Sequence, residues 1–258
     1  MQLTRHSNIS NSKAGFTVVE IAIVIVIIGL LIAGVVGGQS LIQSAKQNAL
    51  ISDIKKYAAI INTFKLNYDA LPGDMKNATD YWGEDGDGCP AGADNDGTCD
   101  GDGNGIIFNR ELQRVWEHLS YSELLSNKFN FDDSYTTGVS FPEVEYGGAN
   151  LGFGSVSEYW GDPLVQRLFK NNLAFCVQED DFCDSSNQQG VPGEDSQIID
   201  FKIDDGAPNS GKVLASGNST CTSNGDSFEE YNDSGNSNFT YVITDDSRCV
   251  LAFIQDNL

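Results

Sequence analysis

A chain of 258 residues with 37 Asp and Glu against 15 Lys and Arg carries a formal charge of −22 at pH 7. Such an excess of acid repels phosphate backbones and anionic lipid headgroups, which argues against direct nucleic-acid binding by its soluble part. The length leaves room for one soluble domain of moderate core size rather than two.

Residues 1–15 carry Arg5 and Lys13, no acid and no apolar core. An ordinary secretory signal places its apolar region before the cleavage point, whereas here it follows. From Phe16 to Gly38 the only charged side chain is Glu20. A helix of roughly 20 such residues, rising about 1.5 Å per residue, crosses a hydrocarbon core of about 30 Å. The stretch reads as a membrane span, and the Lys and Arg before it keep its amino end in the cytoplasm with the rest of the chain across the membrane. A carboxylate in hydrocarbon costs on the order of 2.5 kcal/mol or more unless a partner neutralises it. Cutting the chain between Gly15 and Phe16 creates such a partner, a free α-amino group one helical turn before Glu20.

The junction Gly15-Phe16-Thr17-Val18-Val19-Glu20, with a short basic leader before it and an apolar run after it, resembles the class III signal of type IV prepilins and type II secretion pseudopilins. The resemblance implies cleavage after Gly15 by a prepilin peptidase and methylation of the new Phe16 amino group. It also implies that Glu20 registers each chain against other pilin or pseudopilin subunits on an inner-membrane assembly platform. Removing the leader leaves 37 acids against 13 bases, or −24. The bland alternative is a single-pass anchor with a chance Gly-Phe pair.

The chain divides into a leader at 1–15, a transmembrane half-helix at 16–38, an amphipathic half-helix at 39–70 and an extracytoplasmic head at 71–258. The Gly37-Gly38 pair is a place for the helix to loosen. Beyond it, Ile54, Ala58, Ile61, Phe64 and Tyr68 recur at spacings of three and four, while Lys55, Lys56, Asn62 and Lys65 take other faces. This predicts a helix continuing to about Ala70 and stopping at Leu71-Pro72-Gly73, with its apolar side packed into the head.

Residues 74–104 are rich in Asp and Gly and read as loop. Within and just beyond them, Asp100-Gly101-Asp102-Gly103-Asn104-Gly105-Ile106-Ile107-Phe108-Asn109-Arg110-Glu111 satisfies the D-x-[DN]-x-[DN]-G-x5-E calcium loop. Alternate short acids and amides point inward, Gly105 makes the sharp turn, the Ile106 carbonyl turns in, and Glu111 closes the shell. The expected ligands are Asp100, Asp102, Asn104, the Ile106 carbonyl and Glu111, with calcium as the ion. No helix leads into the loop, and Phe108 stands where a polar residue is usual, so it reads as a half EF-hand followed by a helix bearing Leu112, Val115, Trp116 and Leu119 toward the core. Asp85, Asp87, Asp94 and Asp96 give only a weak signal for a second ion. The competing reading is a solvated Asp/Gly run.

Cys89, Cys99, Cys176, Cys183, Cys221 and Cys249 make an even count, all beyond the span, in a compartment that permits disulfides. The short separations favour 89 with 99, 176 with 183, and 221 with 249. Other pairings remain open, and no CxxC pair points to a thiolate metal site.

Tyr68 to Asp74, Asn77 to Gly83, the calcium-loop segment and Asp204 to Val213 also resemble segments of prepilin-like proteins with pseudopilin-type heads, less specifically than the amino-terminal junction. From the residues alone, Ile198–Ile203 alternates after its first residues, Asp204 to Gly211 turns and Lys212 to Ala215 returns, predicting a hairpin. Residues 239–244 and 249–254 suggest a closing antiparallel pair. The expected fold class is α+β, with an antiparallel sheet against the long helix.

Catalysis finds little support. His6 and His118 are the only histidines, no nucleophile motif is present, and His118 reads as a solvent-facing or capping residue. The pairs Glu229-Glu230 and Asp245-Asp246 read as solvated acids, and Trp82, Trp116 and Trp160 as core. The function expected is a structural subunit of a type II secretion pseudopilus or type IV pilus-like filament serving export of a protein cargo. The alternatives are a minor type IV pilin in adhesion, motility or DNA uptake, and a membrane-anchored calcium-dependent binding module.

Overall fold

The computed structural model describes residues 15–84, 98–108, 110–129, 140–144, 146, 149–155, 173–178, 190–216, 221–223, 240–244 and 246–255. The expectations for Arg5, His6, Lys13, Asp85, Asp87, Cys89, Asp94, Asp96, Trp160, Cys183, Glu229, Glu230 and Asp245 lie outside these residues. The chain forms two units, Met1–Ala45 and Lys46–Leu258.

Helix α1, Val18–Tyr68, is 51 residues long and runs unbroken through Gly37 and Gly38. Its side chains in the first unit are almost all exposed, and the stretch is long and apolar enough to cross a membrane. In the second unit Gln47, Leu50, Ile54, Tyr57, Ile61 and Phe64 turn inward at helical spacing, while Lys55, Lys56 and Lys65 face solvent. This is the amphipathic half that the periodicity predicts.

Two helices follow, α2 at Ala78–Trp82 and α3 at Glu111–Tyr121. Leu112, Val115, Trp116 and Leu119 of α3 are buried, as expected, and the Trp116 ring meets Tyr57 of α1 edge-on at a centroid distance of 5.2 Å. Each such fully buried large side chain contributes about 1.5–3 kcal/mol. Among the described residues the remaining elements are β1 (Asn150–Ser155), β2 (Leu173–Gln178), β3 (Val191–Pro192), α4 (Gly193–Ile203), β4 (Val213–Ser216) and β5 (Arg248–Gln255).

The strands form one antiparallel sheet in the order β1-β2-β5-β3, with β4 also paired to β5. Along β1 and the interior of β5 every residue is buried rather than every second one, so both faces of the sheet are covered. Helix α3 packs on β1, and α4 packs on β3, β4 and β5. A long helix with a small antiparallel sheet is the α+β architecture expected.

Cys221 and Cys249 are joined with a Cα–Cα distance of 5.1 Å, as the spacing suggested, tying the 221–223 segment to β5. Closing a loop of 28 residues restricts the unfolded chain by about 3.5 kcal/mol. Cys99 and Cys176 are also disulfide-bonded.

Two local expectations are overturned. Ile198–Ile203 is the end of helix α4, not a strand. Pro192 ends β3, Glu194 and Asp195 suit the positive end of a helix, and the Ser196 hydroxyl donates to the carbonyls of Val191 and Pro192 at 3.2 and 2.9 Å. The buried set Asp195, Ser196, Ile199 and Asp200 has helical spacing. Nor does the 240–244 segment pair with β5. Tyr241 instead bridges antiparallel to Thr222, because β2, β3 and β4 already occupy β5.

Candidate functional site

At the amino end, the backbone N–H of Thr17 donates to Glu20 Oε2 at 2.7 Å and the Thr17 hydroxyl donates to the same oxygen at 2.9 Å. The N–H of Glu20 donates to Thr17 Oγ1 at 3.3 Å. The reciprocal pair is a capping box, which satisfies backbone donors that the first turn of a helix leaves unpaired. The sequence contains its signature, Thr17-Val18-Val19-Glu20, which the reading of Glu20 as an assembly residue passed over. Gly15 has open space around its Cα, and Phe16 is exposed. Thr17 thus holds the Glu20 carboxylate at the first turn of α1.

The second cluster forms where the turn after α1 meets the start of α3. Gly73 has φ of +87°, and a Cβ there would collide with the Glu111 carbonyl and Val115, so only glycine lets the turn press this close. The turn presents Asp74, whose Oδ1 and Oδ2 accept from the N–H groups of Asn104 and Gly105 at 3.0 and 2.9 Å. Gly101 lies against the Asp74 backbone, and its N–H donates to the Met75 carbonyl at 2.7 Å.

Asp102 Oδ1 accepts from Asn104 N–H at 2.9 Å, and Asn104 Oδ1 accepts from Ile106 N–H at 2.6 Å. Glu111 Oε1 accepts from Asp102 N–H at 3.0 Å and Oε2 from Phe108 N–H at 3.3 Å. The result is a converging set of carboxylates, with ligand oxygens of Asp74, Asp102 and Glu111 all within 4.8 Å of one another.

Of the expected ligands, Asp102, Asn104, Ile106 and Glu111 share this loop. The Asp100 side chain turns away to accept from Thr79 N–H and Oγ1 at 2.9 and 3.2 Å, while its carbonyl accepts from Arg114 Nη1 at 2.9 Å. Asp74 takes the place beside Asp102 and Glu111. Its only sequence signal was an acid directly after the Leu71-Pro72-Gly73 breaker.

Burial raises the carboxyl pKa of both Asp74 and Glu111, and for Glu111 the neighbouring Asp102 and Asp74 charges add to the rise. An all-oxygen donor set that repels itself is the chemistry a hard divalent cation such as calcium satisfies. The residues fit the ion.

His118 is wholly buried, contrary to the expectation of a solvent-facing or capping residue. Its Nδ1 accepts from Gly73 N–H at 2.9 Å, and Nε2 lies 3.1 Å from the Cys99 carbonyl. It is a brace for the turn that carries Asp74. Trp116 is core, whereas Trp82 is half-buried among the rings of Phe64, Tyr68, Tyr81 and Tyr121.

Asp200 on α4 is fully buried. It accepts from the Tyr241 hydroxyl at 2.8 Å and Gly206 N–H at 3.2 Å. Burial, and to a smaller degree the charges of Asp205 and Asp204, push its carboxyl up to about 7 against the lowering effect of those two donors. Asp195, one and a half turns earlier, accepts from Gln47 Nε2 of α1 at 2.7 Å, and Gln47 Oε1 accepts from Lys202 at 2.8 Å. These contacts fasten α4 to the amphipathic half of α1.

Residues 10–36 match the family model described as the prokaryotic N-terminal methylation motif. No curated protein and no solved structure matched the chain. The matched segment contains Gly15, Phe16, the Thr17–Glu20 capping box and most of the apolar half of α1. Through residues 10–36 the amino end of the chain is similar to those of prepilin-type proteins that carry this methylation motif.

Proposed function

We propose that the chain is a subunit of a type II secretion pseudopilus or a type IV pilus-like filament, anchored in the inner membrane before assembly with its head on the periplasmic side. A prepilin peptidase cuts after Gly15 and methylates Phe16, and the subunit joins other pilin or pseudopilin subunits on an inner-membrane platform to serve protein export. The observation that carries this reading is the methylation motif at 10–36 running into a single helix that is apolar and exposed in its first half and buried on one side in its second. The exposed Glu20 carboxylate in that apolar stretch needs a charged partner in lipid, and a Phe16 amine, its own or a neighbour's, supplies it.

Within the same reading the head binds one calcium ion through Asp74, Asp102, Asn104, the Ile106 carbonyl and Glu111. The ion stabilises the junction between α1 and α3 rather than taking part in chemistry. A role in adhesion, motility or DNA uptake as a minor pilin uses the same amino-terminal machinery.

The test is co-assembly. Filaments sheared from cells and probed for the chain should contain the native protein. Glu20→Val should still insert in the membrane, because the replacement is apolar, yet be depleted from filaments. A native chain absent from the sheared fraction contradicts the reading.

A further inference from the structure

Two surfaces of the second unit carry opposite charge beside apolar or aromatic area. The first is a groove of about 280 Å³ between residues 51–62 of α1 and the end of β5, floored by Ile51, Ile54, Ile203 and Phe253, with Lys55 and Lys212 at its edge. The second is the end of α2, where Tyr81 stands 57% exposed. The Tyr81 ring is braced by Tyr68 and Trp82 at centroid distances of 5.3 and 5.8 Å and flanked by the exposed acids Asp80 and Glu84. One is an apolar slot with a cationic rim, and the other is an aromatic knob between carboxylates.

We propose that these two surfaces dock between copies of this chain, with Tyr81 of one copy seated in the groove of a second and Asp80 meeting Lys55. The inference rests on the filament reading above and specifies a contact within it. A chain of charge −22 repels its own copies over most of its surface, so a cation-rimmed apolar groove is where a like-charged copy can land with its acids paired. An aromatic ring supplies the apolar area such a slot needs. Because knob and groove are different surfaces, each docked copy still presents one of each. A heterologous contact of this kind extends a row of subunits rather than closing a dimer.

The experiment uses the full-length chain in its native membrane, with a photo-crosslinking amino acid at position 81 and two differently tagged copies expressed together. The expected product carries both tags, and its crosslinked peptides map to residues 51–62 or 253–255 of the second copy. Lys55→Glu should lower its yield about threefold, the scale of an exposed ion pair, and Asp80→Lys on that background should restore it. Crosslinks that map elsewhere or to another protein, or a yield indifferent to both charge reversals, overturn the docking. Sheared filaments from the same cells separate the two failures: filaments that contain the chain but lack the crosslink refute only this contact. A native chain missing from filaments refutes the filament reading as well.

Discussion

His118 Nδ1 accepts a hydrogen bond from the Gly73 amide at 2.9 Å, so a buried ring on α3 holds the turn that delivers Asp74 to the acidic loop. Since Nδ1 accepts, the proton sits on Nε2 and is donated to the Cys99 carbonyl, a tautomer assigned from the hydrogen-bond network. A second proton on Nδ1 would face another N–H.

Burial therefore lowers the His118 pKa to about 4 from 6.5. The unfolded chain binds more protons than the folded one between those values. The stability His118 contributes as a neutral acceptor is present above pH 6.5 and lost as pH falls through about 4, at most roughly 3 kcal/mol. In thermal melts of the detergent-purified chain at pH 7 and pH 4.5, the native protein should lose more stability on acidification than His118→Gln. Equal losses would remove His118 from the acid sensitivity.

Asp200 has the opposite sign. Its carboxyl is raised to about 7 from 3.8 by burial, so the folded state holds a proton that the unfolded state has released. The contribution is full below about pH 3.8 and is lost as pH rises through about 7. Asp200→Asn keeps the neutral form at every pH and can still meet Tyr241. Its stability relative to the native protein should therefore increase steadily from pH 4 to pH 8, and a pH-independent difference would contradict the buried neutral carboxyl.

Calcium should stabilise the head. At a concentration a hundredfold above the dissociation constant, an ion bound only by the folded state adds about 2.7 kcal/mol. Chelation should lower the melting temperature by several degrees and added calcium restore it. Glu111→Ala and Asp74→Ala should each abolish the response, whereas Asp100→Ala, whose side chain bonds Thr79, should weaken it less. Calorimetry that detects no calcium binding to the native chain would make the segment a solvated loop.

The sequence was most legible where one physical constraint dominates. A run of apolar residues interrupted by one carboxylate admits few explanations, and α1 and its buried face follow from it. The α3 stripe was also plain, because Leu112, Val115, Trp116 and Leu119 repeat on one side. Helix α4 was not, because its buried positions include Asp195 and Asp200 while Phe201 is 74% exposed, the reverse of what hydrophobicity implies. A carboxylate bonded to Tyr241 and a glutamine bridging Asp195 and Lys202 are tertiary facts. Strands β1 and β2 escaped notice because Gly152 and Gly154 weaken the strand pattern, and their register sets those glycines opposite Cys176 and Ala174. Asp74 joined the acidic cluster through a close approach that Gly73 permits, a long-range effect with no local spacing.

Processing depends on the small residue before the cut. Gly15→Val should leave uncut precursor in the membrane, because a branched side chain obstructs entry of the scissile bond into the peptidase. It should not alter head stability, since a Cβ at Gly15 would meet nothing within 4 Å beyond its chain neighbours. Normal maturation of that variant would contradict a peptidase that requires glycine there.

The most direct measurement is the intact mass of the protein extracted from membranes of cells that carry a prepilin peptidase, with its amino-terminal peptide sequenced by fragmentation. A mature chain beginning at Phe16 and bearing one methyl group on that amine is the expected result. A chain still carrying Met1 to Gly15, or one cut elsewhere, would contradict the prepilin-type processing on which the filament role depends.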